Sequence, residues 1–377
     1  MDVRRTGTSY GPAVAALLAG AALWAASAAP TSAATLFKQT NLLTNADDPN
    51  LINPWGISVG GLGDFWISDN GTGISPVYTV TGGTVANPLN VTIPSPTGGV
   101  SAPTGQVFNN VAGAFKLANG NPAFFLFASE DGAITGWNGG TTAEIVESNP
   151  DAIYKGLAIS DFGGGTLYAT NFHEGTVDAF DSGFNPVLTG KFVDPNLPSG
   201  YAPFGDAVIN GDLYVTYALQ DADKEDDVSG PGNGFVDVYT LDGTLVTRLI
   251  SGGVLNSPWG IEQAPTDSSW GEFAGALLVG NFGDGAINAF NIHTGDFIGE
   301  LMGTDGQPIS IAGLWGLVNG PGADANSLFF TAGGDETTGL FGMLTPVPEP
   351  RTWMTMTIGF AVVGFIAFRR KRLVAFG

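Results

Sequence analysis

The densest set of chemically capable groups in the chain is Asp221, Asp223, Glu225, Asp226 and Asp227, five carboxylates within seven residues. Calcium takes six to eight oxygen ligands, so carboxylates crowded into one flexible loop suit it. An EF-hand is excluded, because Asp226 stands where that loop needs glycine and Gly232 stands where it needs glutamate. Two readings stand: a calcium site of another form, with Asp221, Asp223, Glu225 and Asp227 as ligands, or a solvated acidic loop with Lys224 as partial counter-charge. Calcium is the one cofactor the residues suggest.

Other catalytic chemistry is sparse. The chain has no cysteine, which removes thiol catalysis and cysteine-based zinc sites. His173 and His293 are the two histidines; His293 sits in the turn Asn291–Gly295, while His173 stands beside Glu174, where proton transfer is conceivable. No serine nucleophile elbow is present. The run Gly163–Gly165 leads into a strand pattern rather than a helix, so it is not a phosphate cradle.

The full chain carries 13 basic and 35 acidic residues, a net charge of −22. Seven of the basic residues lie in the two ends, so the middle is more acidic still. Such a surface repels nucleic acid and anionic lipid, which excludes nucleic-acid partners. It also keeps an exported protein soluble.

Both ends point to export. Arg4 and Arg5 precede an alanine-rich apolar stretch, Ala13–Ala29, and Ser32-Ala33-Ala34 offers small residues for cleavage. This is the pattern of a signal peptide over 1–34. At the other end, Val347-Pro348-Glu349-Pro350 is followed by the uncharged run Trp353–Phe368 and then by Arg369-Arg370-Lys371-Arg372. As a helix the run would be about 24 Å long, slightly short of a bilayer's hydrocarbon core. The basic end would stay cytoplasmic. The motif, weak span and basic end over 347–377 resemble the PEP-CTERM sorting signal of Gram-negative bacteria. That resemblance implies transient anchoring in the inner membrane through the span 353–368. It also implies an exosortase-type processing protease as partner, and release to the cell envelope or extracellular matrix.

Between the ends, a short anchor recurs: Pro54-Trp55-Gly56, Pro103-Thr104-Gly105, Tyr154-Lys155-Gly156, Pro203-Phe204-Gly205, Pro258-Trp259-Gly260 and Leu314-Trp315-Gly316. The period is about 50 residues, which marks a repeat architecture. Each anchor leads a short apolar strand, a glycine-rich turn and a second strand such as Leu167-Tyr168-Ala169 or Leu277-Leu278-Val279. A polar turn and an alternating third strand follow, such as Thr176–Phe180. A fourth strand fits where residues suffice, as in Leu245–Ile250. Alternation, aromatic and β-branched enrichment and the 57 glycines are strand and turn signals. Six such repeats predict an all-β, six-bladed β-propeller over 35–346. Leu36–Leu43, ahead of the first anchor, is expected to close the ring by adding a strand to the last blade.

In this topology the loop before strand one and the loop between strands two and three share a face. That face gathers Trp55, Asp69, Asn70, Asn171, His173, Glu174, Trp259, Asn281, Asp284 and Trp315, together with the acidic loop. Tryptophan and asparagine on one rim could hold a carbohydrate by stacking and hydrogen bonds. The competing reading makes the tryptophans core wedges between blades and the Asn and Asp side chains turn formers bonded to local backbone. The Pro-Trp-Gly-Ile anchor with its Asp-Asn turn resembles NHL-type propeller repeats. The whole middle region resembles uncharacterised PEP-CTERM propeller proteins, marked by Asp221–Asp227 leading into Gly230–Asp237. No activity comes with that resemblance. The expected role is a binding or scaffold module for extracellular polysaccharide; the alternative is a calcium-assisted, lactonase-like hydrolase.

Overall fold

Each anchor opens the innermost strand of a blade, and a computed structural model describing residues 35–347 shows six of them. Blade 1 runs Pro54–Val59, Phe65–Asp69, Ile74–Thr81 and Thr84–Thr92, and blade 2 runs Pro103–Phe108, Phe125–Ser129, Ala133–Trp137 and Glu144–Ser148. Blade 3 runs Tyr154–Ser160, Thr166–Asn171, Thr176–Asp181 and a stub, Pro186–Val187. Blade 4 comprises Tyr201–Ile209, Asp212–Leu219, Phe235–Thr240 and Leu245–Ser251, and blade 5 Pro258–Gln263, Leu277–Asn281, Ile287–Phe290 and Phe297–Glu300. Blade 6 combines Leu314–Asn319, Leu328–Ala332 and Leu340–Val347 with Leu36–Thr44 from the start of the described chain. Helical structure among the described residues is limited to three short 3₁₀ turns, none long and apolar enough to cross a membrane.

The expected closure is present. Leu36–Thr44 pairs antiparallel with Leu340–Val347, from Leu36 opposite Val347 to Thr44 opposite Leu340. Val347, read from sequence as the head of the tail, is thus the last residue of a blade 6 strand. The signal peptide (1–34) and the sorting tail with its span 353–368 lie outside the described residues.

The anchor glycines explain the regular spacing. A Cβ at Gly56 would sit 2.4 Å from the Thr104 carbonyl oxygen, at Gly205 2.1 Å from that of Trp259, and at Gly260 2.4 Å from that of Trp315. Each blade's innermost strand therefore presses on the next blade's backbone, and Gly316 completes the circle against Trp55 and Ile57. Any side chain would hold the blades apart.

Between neighbouring blades lie six apolar cores. Trp66, Val77 and Ile93 of blade 1 meet Phe125 and Phe127 of blade 2. Tyr168 and Ala179 of blade 3 meet Leu213, Val215 and Tyr217 of blade 4. Leu278 and Ile287 of blade 5 meet Leu328, Phe330 and Leu344 of blade 6. The alternation along each strand sends one face to each neighbour, so most strands are buried on both sides.

Candidate functional site

The middle residues of the anchors are Trp55, Thr104, Lys155, Phe204, Trp259 and Trp315, and five of them meet on the propeller axis. Trp55 stacks on Trp315 with ring centroids 3.5 Å apart, and Phe282 stacks on the Trp315 ring at 4.0 Å. Trp259 meets both tryptophans edge-on, at 5.9 and 5.8 Å. Phe204 packs against Trp315 at 6.0 Å. The Lys155 ammonium lies 5.1 Å from the Trp55 ring centroid and 5.8 Å from that of Phe172, a cation–π arrangement. Thr104 turns aside and donates to the Tyr154 carbonyl at 2.8 Å. This plug closes the channel.

A polar network covers the plug on the face predicted to bind. Trp315 donates through Nε1 to Asn53 at 3.0 Å, and Asn70 donates to Glu130 at 2.8 Å. Lys155, 1% exposed, pairs with Glu130 and lies 3.5 Å from Asp226 of the acidic loop. Burial alone would lower the Lys155 pKa, but the two carboxylates outweigh it and hold the ammonium above its ordinary value. Asp227 is pushed up by burial, against hydrogen bonds from Ser257 and Ser229 and the nearby Lys155 charge.

This geometry corrects several site expectations. Trp55, Trp259 and Trp315 are 4%, 8% and 1% exposed, so they are axial core and present no open stacking face. Asp69 is fully buried, and its carboxyl is pushed well above the usual range by burial and by Asp48. Asn171 donates to Glu174 at 2.7 Å and to Asp178 at 3.0 Å, and Asn281 donates to Asp284 at 3.1 Å and to the Val254 carbonyl at 2.8 Å. The bonds to Glu174 and Asp284 form the local turns, and those to Asp178 and Val254 tie the turns to a neighbouring strand and loop. His173 is half-buried beside the exposed Glu174. The structure joins Asn70 to the Lys155 network but distributes Asn171, His173, Glu174, Asn281 and Asp284 over the turns of blades 3 and 5.

Nor does the acidic loop fold as a cage. Asp221 accepts from the Glu225 backbone N–H at 3.0 Å, Asp223 and Glu225 face solvent, Asp226 lies 3.5 Å from the Lys155 ammonium, and Asp227 accepts from Ser229 at 3.0 Å. Among the described residues no three acidic or imidazole groups are disposed to hold a metal ion.

The open space lies along the channel on the other side of the plug. A cavity of about 440 Å³, lined by the innermost strands of all six blades, has Trp259 in its wall. Its lining includes the aliphatic side chains of Ile57, Val107, Leu157, Ile261, Leu317 and Val318. Against this stand Gln106, Asp206, Glu262 and Asn319. Gln106 donates to the Gly56 carbonyl at 2.9 Å, and its Oε1 meets no donor. Asn319 donates to Glu262 at 3.2 Å and to the Gln263 carbonyl at 2.8 Å, and its Oδ1 is free of donors.

Both carboxyls are perturbed. Burial pushes Glu262 up to about 7, against hydrogen bonds from the Gln263 backbone N–H and Asn319. Asp206 shows some of its surface to the cavity, yet both carboxyl oxygens are shut off from solvent and meet no donor. Burial therefore pushes it well above the usual carboxylate range. Its oxygen lies where a Gly156 Cβ would be, 2.5 Å away, so the carboxyl wedges against the blade 3 backbone. A cavity of this size, walled by polar and apolar groups together and holding two shifted acids, is the feature of the fold best suited to a ligand.

Sequence reasoning missed these four residues, although an alignment of the repeats holds the signal. The position after the anchor glycine reads Ile57, Gln106, Leu157, Asp206, Ile261 and Leu317, and the next reads Ser58, Val107, Ala158, Ala207, Glu262 and Val318. Gln106, Asp206 and Glu262 are polar departures in mostly apolar columns.

No family model matches the chain. Among solved structures, it is similar to a streptogramin B lyase, with a TM-score of 0.51 and 12% identity over 83% of this chain and 98% of that one. It is also similar to the soluble aldose sugar dehydrogenase of Escherichia coli, with a TM-score of 0.50 and 12% identity over 82% of this chain and 100% of that one. At such identities the likeness establishes the propeller fold alone. Two proteins of Acanthamoeba polyphaga mimivirus are nearer in sequence. Uncharacterized protein R648 is 34% identical over 337 residues, covering 84% of this chain and 82% of its own. Uncharacterized protein L690 is 33% identical over 325 residues, covering 82% and 84%. The chain belongs to the β-propeller family that these uncharacterized mimivirus proteins represent.

Proposed function

We propose that this propeller is an exported binding module that holds a small, neutral, hydroxyl-rich ligand, such as a sugar unit of an extracellular polysaccharide, in the axial cavity. The observation that carries this reading is the mixed cavity lining, in which aliphatic side chains share the wall with polar groups including Gln106, Asp206, Glu262 and Asn319. Glu262, protonated below about pH 7, gives and accepts hydrogen bonds without fixed charge, and Gln106, Asp206 and Asn319 hold enclosed oxygens without donors, which a ligand hydroxyl would satisfy after a shift of these side chains. The aliphatic side chains suit the C–H faces of a sugar ring. An anion would meet Glu262 as it ionises near pH 7. Export rests on the leader pattern over 1–34 and the sorting tail over 347–377. Mass spectrometry of protein from a host with the processing protease tests that part; an intact Arg369–Arg372 end on exported protein refutes it.

The binding reading is tested by calorimetric titration of monosaccharides and short oligosaccharides into wild-type protein and the Asn319→Leu and Gln106→Leu variants. Loss of one buried hydrogen-bonding group should weaken a bound sugar by about tenfold or more. Affinity unchanged in both variants places the ligand elsewhere. Turnover of the sugar, followed by chromatography, makes the protein an enzyme instead.

A further inference from the structure

Blade 3 lacks most of its outer strand. Pro186–Val187 pairs only with Ala179 and Phe180, whereas the outer strands of blades 1, 2, 4 and 5 span Thr84–Thr92, Glu144–Ser148, Leu245–Ser251 and Phe297–Glu300. After Val187 the chain turns inward. Phe192 packs between blades 3 and 4, and Asp194 pairs with Arg248. The first half of the third strand, Thr176–Asp178, is left without an outer neighbour.

The direction of its unpaired backbone groups follows from the ladder. The Asp181 N–H donates outward, to the Asn185 carbonyl at 2.9 Å. Strand groups alternate with period two, so Ala179 and Val177 face the same outer side. Ala179 has Val187 opposite it; Val177 has no strand residue there. Along this edge runs a groove of about 600 Å³. Its lining includes Val177 and Ala179, whose side chains face blade 4, and Asp178 and Phe180 from the opposite face of the strand. The groove therefore wraps the open edge.

Its chemistry selects the occupant. Val187 and the 58%-exposed Val193 give the groove an apolar side. Glu147, Glu174 and Asp178 line it, with Lys191 as the one cation in its wall. Burial and these three carboxylates together push the Tyr154 phenol up. A second copy of so acidic a chain is a poor match for this rim. An extended segment with alternating basic and apolar residues matches both the edge and the rim.

We propose that the groove on blade 3 is a docking site for a basic, extended segment of a partner protein, which adds to the blade as its missing outer strand. The contact is independent of the axial cavity and gives the propeller a second, protein-binding surface.

The test uses the full chain and a short fluorescent peptide of alternating valine and lysine, at low salt. The expected result is saturable binding, with new hydrogen-exchange protection at the Val177 amide, which has no outer partner, and weaker binding as salt rises. A Glu147→Gln, Glu174→Gln double variant should bind about fivefold to tenfold more weakly while its fold is unchanged. Val177→Pro removes the outward N–H and should weaken peptide binding about fivefold or more. The proposal is overturned if a valine–glutamate peptide binds equally well, if the double variant binds like wild type, or if protection falls elsewhere. Self-association that protects Val177 in the absence of peptide also overturns it, in favour of a second copy as occupant.

Discussion

Replacing Glu262 by glutamine should stabilise the protein at neutral and alkaline pH and do nothing at acidic pH. In the fold its carboxyl is pushed by burial from an ordinary 4.5 to about 7. Below pH 4.5 the group is protonated in both folded and unfolded chains and contributes no difference. Between 4.5 and about 7 the unfolded chain releases its proton while the fold retains it, so stability falls as pH rises. Above 7 the full penalty is present, about 3 kcal/mol at about 1.4 kcal/mol per tenfold in proton affinity, as an upper bound because water in the cavity relaxes it. Glutamine keeps an acceptor for the Gln263 N–H and the Asn319 amide and carries no charge. At about 1.5 °C per kcal/mol for a domain of roughly 300 residues, Tm should rise by up to about 5 °C at pH 8. Scanning calorimetry of both proteins from pH 4 to 8.5 gives the answer in the difference of the two curves. Asp69, Asp206 and Asp237 also titrate upward-shifted, but they are common to both proteins and cancel. Parallel curves, or a Glu262→Gln variant whose advantage is the same at pH 4 as at pH 8, would refute the buried-acid argument.

Other expectations follow from the same geometry. Lys155→Ala leaves Glu130 without its buried partner and opens the axial plug, so it should lower stability by about 3–5 kcal/mol, read by urea denaturation; a loss below 1 kcal/mol removes the pair from the structural account. Gly205→Ala puts a Cβ 2.1 Å from the Trp259 carbonyl oxygen and should destabilise by at least about 2 kcal/mol, seen as a lower denaturation midpoint. Millimolar calcium should leave Tm unmoved, because the loop carboxylates do not converge and Asp226 lies against Lys155; a rise that Asp221→Asn and Asp223→Asn abolish would make calcium a ligand of the loop.

The ring was legible because it is written six times over. A glycine needed at every blade contact recurs with its neighbours, and Leu36–Thr44 had no other sheet to join. Burial and convergence were not legible. Trp55, Trp259 and Trp315 read as an exposed rim or as core wedges between blades, and the axial plug they form was not foreseen, since composition does not say how far six side chains reach toward a common axis. Gln106, Asp206 and Glu262 occur once each, so no periodicity announces them. The missing strand of blade 3 is hidden by a normal anchor spacing: Leu188–Gly200 fills the length of a strand and turn, but packs Phe192 inward instead.

The pairing of Leu36–Thr44 with Leu340–Val347 also orders events in time. The first strand to emerge from the ribosome docks only after the last blade exists, across a separation of nearly the whole domain. Contacts that distant make folding slow. Until they form, blade 6 has no outer strand and the circle stays open. Once folded, the two ends of the domain are held by one another, and pulling on the first strand must also break its short parallel pairing with Met302 and Gly303.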